Sequence, residues 1–128
     1  MSALSDYLEN EILDHILGTG AYTMPTNVYV GLATASFNDD ASGTELSGSG
    51  YTRKVITFNA AASATADNNA AVEFPAATGS WGTVSHFGLF DAATSGNLLV
   101  HGAFTTGKAI GSGDILKIPA GDLDITAA

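Results

Sequence analysis

The sequence predicts a mainly β protein, an antiparallel β-sandwich of about seven short strands with one N-terminal amphipathic α-helix. Helical spacing of apolar residues occurs only near the N-terminus, whereas the later apolar runs are short and are separated by Gly-rich turns. These runs follow one another too closely for crossover helices, so the strands should pair antiparallel. The 128 residues fit a single domain, 1–128.

The first element is a helix over about residues 3–17. Ser2 or Ser5 is expected to cap its first turn, and Gly18 or Gly20 to end it. The apolar stripe needs a surface to cover, and the predicted sheet is the available candidate. This stripe recurs every fourth residue and is widened on one side: Leu4, Leu8, Ile12 and Ile16, with Leu13 and Leu17.

The β-sandwich is predicted over residues 27–126. Short apolar runs alternate with polar residues there, and Pro75 ends one of them because proline cannot donate to a ladder. A low-complexity connection separates the second and third runs. The seven predicted strands are 27–33, 51–58, 71–74, 84–90, 98–105, 115–118 and 123–126.

Residues 34–50 are rich in Ser, Gly and Asp and predict a long exposed loop. A loop of this length in a compact domain is usually functional or mobile, so it is a candidate contact arm for a partner. Its carboxylates superficially suggest calcium ligands, but the alternating ligand spacing of a calcium loop is absent, which favours a solvated loop over a cation site. The candidate contact residues are Phe37, Asp39, Asp40 and Leu46.

The charge balance limits the partners. Thirteen acids against four Lys and Arg give a formal net charge of −9, whereas a nucleic-acid surface needs the opposite sign. The same acidity argues against docking on anionic lipid, and no apolar run approaches the roughly 20 residues of a membrane span. We therefore expect neither a nucleic-acid nor a membrane partner. With no Cys, disulfides and thiolate metal sites are excluded.

Three histidines are the first candidates for chemistry. His86 and His101 would become neighbours if their strands form a hairpin about Thr94, but neither shows the ligand spacing of a zinc site. His15 lies near the end of the helix, where an imidazole suits the dipole. We expect structural roles for all three, and no metal.

The remaining motifs also predict no reaction. Asp122 and Asp124 lie two residues apart on a predicted strand and share a face, which would suit acid–base work but is more typical of exposed strand ends. No nucleophile elbow or phosphate-binding loop is present in its required context. We expect no enzyme and no cofactor.

Four aromatic residues are expected to fill the core, given the area that such rings bury. Because Trp81 is next to a turn, an alternative is a carbohydrate- or host-receptor-binding module that uses aromatic and acidic groups on exposed loops. The four are Trp81, Phe87, Phe90 and Phe104.

Several segments together resemble a family of small tailed-bacteriophage virion proteins, labelled either tail fibre or head decoration proteins. The strongest is the hairpin at 81–103, which departs from the family pattern at Ser95, where relatives often have a second Gly. The other segments, in the family's order, are Leu13-Asp14-His15-Ile16-Leu17-Gly18-Thr19-Gly20, Val28-Tyr29-Val30-Gly31-Leu32, Gly50-Tyr51-Thr52-Arg53, Phe74-Pro75-Ala76-Ala77-Thr78, and Ile118-Pro119-Ala120-Gly121.

The resemblance implies a virion structural protein, made in the bacterial host's cytoplasm and incorporated into the particle. The expected function is capsid decoration, in which the protein cements the head by binding the major capsid protein or other virion subunits. The alternative is a tail or tail-fibre component. The resemblance also suggests a homo-oligomer, for which we expect a trimer, and carries over no catalytic motif.

Overall fold

We describe the protein from a computed structural model, which covers residues 2–127. The fold class is confirmed: the chain is mainly β, with one N-terminal helix and antiparallel sheets. The elements in chain order are β1 (Ser2–Leu4), α1 (Asp6–Leu17), β2 (Val28–Ala33), β3 (Lys54–Ile56), β4 (Thr65–Asp67), β5 (Val72–Glu73), β6 (Gly82–Phe90), β7 (Leu98–Ile110), β8 (Lys117–Ile118) and β9 (Asp124–Thr126).

The strands form one five-stranded antiparallel sheet in the order β1-β7-β6-β2-β3, and two small sheets, β4-β9 and β5-β8. The centre of the large sheet is the hairpin of β6 and β7, in which Phe87 lies opposite Gly102. Side chains from the small sheets and from the large sheet enter one apolar cluster. The small sheets therefore cover one face of the large one.

The main core lies between these two layers. Alternation along β2 sends Val28, Val30 and Leu32 toward it, as a period of two requires. Of the four aromatic residues expected in the core, Trp81 and Phe87 are buried there and Phe104 is partly buried against it, whereas Phe90 is buried on the opposite face of the sheet. The buried members from the covering layer are Val72, Phe74, Leu116, Ile118 and Leu123.

The opposite face of the large sheet carries a second, smaller core. Ala33 and Phe90 lie on this face of β2 and β6, where they meet Leu98 and Phe37. All four side chains are buried. The large sheet is thus covered in part on both faces.

The helix is shorter than expected, beginning at Asp6 rather than near residue 3. Ser5 has extended backbone angles, and its hydroxyl accepts a hydrogen bond from the Leu8 amide at 3.2 Å, so it is the N-cap. Residues before it form β1, in which Leu4 pairs with Val100 of β7. The expected Gly18 terminates the helix in the left-handed region, at φ 79°.

Two further differences concern the strands. β4 arises inside the low-complexity connection, and β7 continues to Ile110, five residues beyond its predicted end. The extension carries an irregularity, since Val84 pairs with Lys108 but His86 pairs with Ala103, leaving several β7 residues opposite Ser85. Between residues 2 and 127 no helix is long and apolar enough to cross a bilayer.

Candidate interaction surfaces

The predicted contact arm, residues 34–50, is mostly exposed but is fastened at several points. Phe37 is 4% exposed, and its ring forms a T-shaped pair with the Phe90 ring, with 5.9 Å between the centroids. The apolar surface of Phe37 is already covered by the second core, which leaves little of it for the predicted contact with a partner. Phe37 anchors the loop instead.

The other three candidate contact residues are separated by the fold. Leu46 is partly buried against the main core, and its amide donates to the Leu32 carbonyl at 2.9 Å. Asp39 and Asp40 remain on the surface. Of the four residues, only these two acids face outward, so the structure does not bring the set together as one contact surface.

The two acids have different partners. Asp39 Oδ1 lies 2.7 Å from Nε2 of His101, and its carbonyl accepts the Asp6 amide at 2.8 Å, which ties the loop to the start of α1. Asp40 accepts the Ser42 amide at 2.9 Å, and hydrogen bonds from Ser42 lower the pKa of this carboxyl. The carboxylates of Asp39 and Asp40 thus bind different partners and do not converge on one site.

An arginine clamp fastens the end of the loop. Arg53 binds Glu45 in a bidentate pair, with Nε 2.9 Å from Oε2 and Nη2 2.8 Å from Oε1. Its Nη1 donates to the carbonyls of Ala92 and Ser95, both at 2.8 Å. The guanidinium carbon lies 3.6 Å from the centroid of the Phe90 ring, in cation–π geometry. One side chain therefore joins the loop, the hairpin turn and the sheet.

Tyr51 completes this clamp. Its hydroxyl donates to Glu45 and accepts the Leu32 amide at 2.9 Å. Burial, followed by the bond to Glu45, raises the pKa of Tyr51 far above its ordinary value, so the phenol stays protonated at neutral pH. A Cβ on Gly31 would lie 2.7 Å from Glu45 Oε2 and 2.9 Å from the Phe90 ring. Glycine at this position makes room for the clamp.

Sequence reasoning missed this clamp. Arg53 and Lys54 are adjacent on a predicted strand, which indicates only that they point to opposite faces. The signal in the sequence is the scarcity of basic residues, since the chain has only four Lys and Arg. Arg53 follows Glu45 closely in the chain, which makes the two candidates for an ion pair. The two hairpin carbonyls bound by Arg53 had no signal in the sequence.

The histidines are dispersed. His86 and His101 lie on paired strands but two positions out of register, since His86 pairs with Ala103 and His101 with Gly88. His86 Nδ1 is 2.7 Å from the Ser85 hydroxyl. His15 Nδ1 accepts the Tyr22 amide at 3.2 Å, so it fastens the segment returning from the helix. Over residues 2–127, no three His, Asp or Glu side chains are grouped so that they could hold a metal ion.

The structure also places the other three residues considered from the sequence, Trp81, Asp122 and Asp124. Trp81 is buried, and its indole N–H donates to the Ser49 carbonyl at 2.9 Å, so it does not project from its turn. Asp124 begins β9, whereas Asp122 precedes the strand. The prediction that these two acids share one strand is therefore wrong. Asp122 lines a groove described below.

Among residues 2–127, the large apolar side chains with the highest exposed fractions lie at the C-terminal end of α1 and shortly after it. We define the helix-end patch as Leu13, Ile16, Leu17 and Met24, whose exposed fractions are 55%, 72%, 71% and 80%. Only the beginning of the helix packs against the main core, through Tyr7 and Leu8. The expectation that the sheet covers the whole stripe is wrong, because the stripe extends past the sheet.

A groove of about 230 Å³ lies between β7 and β8. Its lining includes the buried side chains of Val84, Leu116 and Ile118, together with Phe104. The lining also includes Lys108 and Lys117, two of the four basic residues of the chain, and Asp122. We call this the β7–β8 groove. Its β7 wall is the irregular part of the strand, residues 104–106.

Comparison with known protein families identifies a relationship that covers nearly the whole chain. The family model described as podophage GP4 fiber I protein gp80 matches residues 3–126, nearly the whole chain. No curated protein matches the chain significantly. The match extends across α1, the clamp, the central hairpin and the β7–β8 groove, so all of the features above lie within the family's region.

Proposed function

The chain belongs to the podophage GP4 fiber I protein family, and from this membership we propose that it is a structural subunit of a virion fibre. Membership supports a virion structural component in general. The fibre is preferred over capsid decoration because the matching family is described as a fibre protein. Binding to other virion subunits is the proposed activity, and the helix-end patch is the surface that supports it, since exposed apolar side chains grouped on one side of a helix are typical of contact sites.

A passive role, without catalysis, is part of the proposal. Nucleophilic catalysis needs a nucleophile, a base and a group that orients the base. The nearest approach to this arrangement is Ser85 beside His86, but the Ser85 hydroxyl also bonds the Thr34 carbonyl at 3.0 Å. Among the hydrogen bonds of residues 2–127, none links His86 to a carboxylate. This pair is better explained as a local contact on the strand.

The receptor-binding alternative loses its main residue. It depended on Trp81 being presented beside a turn, and that ring is buried with its N–H already bonded. The other aromatic residues named for the core are buried or partly buried as well. The exposed side chains of this chain therefore fit binding to another subunit better than binding to a sugar.

The test is to find the protein in the particle. Purified virions should contain this chain at a fixed stoichiometry by mass spectrometry, and cryo-electron microscopy of virions carrying a small C-terminal tag should place the extra density on a fibre. Extra density on the capsid shell would instead indicate that the protein decorates the capsid. Absence of the chain from purified particles would overturn both.

A tag-free control guards against damage by the tag itself. Virions with the unmodified chain should have the same stoichiometry and the same fibre density, less the tag. A glycan-binding screen with the purified protein addresses the receptor alternative, for which the proposal expects no specific signal.

A further inference from the structure

We propose that the helix-end patch of one copy docks in the β7–β8 groove of a second copy, so that the chain associates head to tail. This inference rests on the proposed function, which requires a subunit that assembles, and it names the partner as another copy of the same chain. Three observations carry it: an uncovered apolar knob, an apolar groove of matching size, and opposite charges around the two.

The knob is the helix-end patch, and most of it is the C-terminal turn of α1. Leu13, Ile16 and Leu17 follow the i, i+3, i+4 spacing that places side chains on one side of a helix, and all three are more than half exposed. This is the pattern by which a helix anchors itself in an apolar groove. Met24, on the segment that returns from the helix, adds a flexible apolar side chain that adapts to irregular surfaces.

The surroundings of the knob are acidic. Glu9 precedes Leu13 by one turn, and Asp14 precedes Leu17 by three residues, so a carboxylate flanks each of these leucines. Between Met1 and Thr52 the chain contains no Lys or Arg. A complementary partner surface therefore needs an apolar centre with basic side chains at its edge.

The β7–β8 groove has this composition. Its apolar lining is formed by Val84, Phe104, Leu116 and Ile118, and Lys108 and Lys117 are exposed beside it. Within residues 2–127 neither lysine forms an ion pair. Asp122 also lines the groove, and the two lysines outweigh its single carboxylate.

The size of the groove favours a side chain over a free ligand. Sites for drug-sized molecules are typically about 300 to 1,000 Å³. The groove measures about 230 Å³ and is open on one side, which suits one or two aliphatic side chains carried on a helix. A knob fixed on a helix also loses less conformational freedom on binding than a flexible ligand.

Pairing of two knobs is disfavoured by charge. A head-to-head contact would bring Glu9 and Asp14 of both copies together, and like charges across an interface cost affinity. The knob and the groove share no residue, and they lie in different places: α1 begins beside Leu98 and Leu99 at the start of β7, whereas the groove lies beside residues 104–108. A docked pair thus keeps one free groove, on the copy whose knob is bound, and one free knob, on the copy whose groove is filled. Such a contact closes into a ring or continues as a filament.

The first experiment measures self-association of the full chain by sedimentation velocity over a range of concentrations. We expect wild-type protein to associate, and Leu17→Asp to raise the dissociation constant by at least about tenfold, since it places a carboxylate in the centre of the contact. Val55→Asp is the matched control, because Val55 is 47% exposed on β3 and belongs to neither the helix-end patch nor the lining of the groove; its association should equal that of wild type. Thermal unfolding verifies that each variant is folded.

The decisive experiment mixes two variants. Leu17→Asp has a damaged knob and an intact groove, whereas the double variant Lys108→Glu, Lys117→Glu has a damaged groove and an intact knob. Each alone should be mainly monomeric at a concentration at which the wild-type chain associates. Their mixture should form a 1:1 complex and nothing larger, because only one intact knob can meet one intact groove.

Three results would overturn the inference: a wild-type chain that stays monomeric at every concentration, association that survives Leu17→Asp, or two monomeric variants whose mixture forms no complex. These results are independent of the virion experiment. A chain located on the fibre but monomeric in solution would remove the head-to-tail contact and leave the proposed function standing, whereas absence from the particle would remove the proposed function.

Discussion

The loop at 34–50 and the C-terminal half of α1 differ in how far the rest of the chain covers their side chains. The difference is the reverse of what their compositions suggest. The loop is polar, yet its apolar residue Phe37 and its acid Glu45 are both used inside the molecule. The helix is a regular amphipathic element, yet Ile16 and Leu17 are about 70% exposed. Polarity of a segment therefore did not decide which surface is available to a partner. What decided it was whether another part of the chain lies opposite.

The geometry of the sheet explains the difference. On one face of the sheet, Gly31 and Gly88 have no side chain, which leaves space for Phe37 and for the Arg53 clamp. The helix instead meets the sheet only near its beginning, where Ser5 is fixed to β7 through the carbonyl of Leu98 and by its amide to Leu99. Its last turn extends past that contact.

The sharpest test of this contrast compares two truncations to alanine. Phe37→Ala should lower the free energy of unfolding by about 3 to 5 kcal/mol, because it empties the second core. Leu17→Ala should change it by less than about 0.5 kcal/mol, because that side chain is already exposed. Urea unfolding of dilute protein measures both. Equal losses would contradict the assignment of buried loop and exposed helix end.

Breaking the clamp is expected to have the next largest effect. Arg53→Met leaves Glu45 and two carbonyls without their donor and should cost about 2 to 3 kcal/mol, somewhat less than a fully buried pair because Glu45 keeps 21% of its side chain exposed. Lys54→Met is the matched control on the next residue and should cost less than about 0.5 kcal/mol. Urea unfolding measures the free energy of unfolding of both variants. A loss of under 1 kcal/mol for Arg53→Met would show that the clamp does not stabilise the fold.

A smaller effect is expected from filling the space that Gly31 leaves. Gly31→Ala brings a methyl group within 2.7 Å of Glu45 and 2.9 Å of the Phe90 ring, so it should destabilise by about 2 kcal/mol through overpacking. Gly20→Ala is the control, since its nearest neighbour is 3.7 Å away; that change should be neutral or slightly stabilising. Thermal unfolding of both variants distinguishes the outcomes.

The smallest expected effect is a pH dependence at alkaline pH. The pKa of Tyr51 is raised in the folded state by burial and by its bond to Glu45. A raised folded pKa contributes stability that is complete below the unfolded value, near pH 10, and is lost as the pH rises above it. Stability should therefore fall above about pH 10, and the fall should be shallower in Tyr51→Phe. Tyr22 is partly buried and burial also raises its pKa, but it is less deeply buried than Tyr51. Tyr22→Phe should therefore alter the slope less, and identical slopes for Tyr51→Phe and wild type would contradict the role of the buried phenol.

Much of the fold followed from local patterns. The period of two predicted β2, β6 and β7, and the spacing of four together with Ser5 and Gly18 predicted α1 and its caps. The bounds of β3 and β8 were overestimated, because an apolar run indicates burial but not how many of its residues find a partner strand. β4 was missed because its pairing with β9 joins segments about 60 residues apart.

The candidate contact surfaces were predicted less well. Asp39 and Asp40 were expected on the surface and lie there, whereas Phe37 is buried and Leu46 is partly buried. Burial of a single apolar residue in a polar loop depends on a receiving pocket, and that pocket is built from Ala33, Phe90 and Leu98 on three separate segments. No window of sequence contains all of its walls.

The sequence by itself determined that this chain is a β protein with one helix, acidic, without cysteine, and similar to phage virion proteins, because each of these properties is local or additive along the chain. Only the tertiary structure decided that Arg53 clamps the loop, that Phe37 is covered, and that the last turn of α1 and the β7–β8 groove remain uncovered. The physical reason is that burial and pairing depend on which distant segments lie opposite one another, and that is settled when the strands find their register.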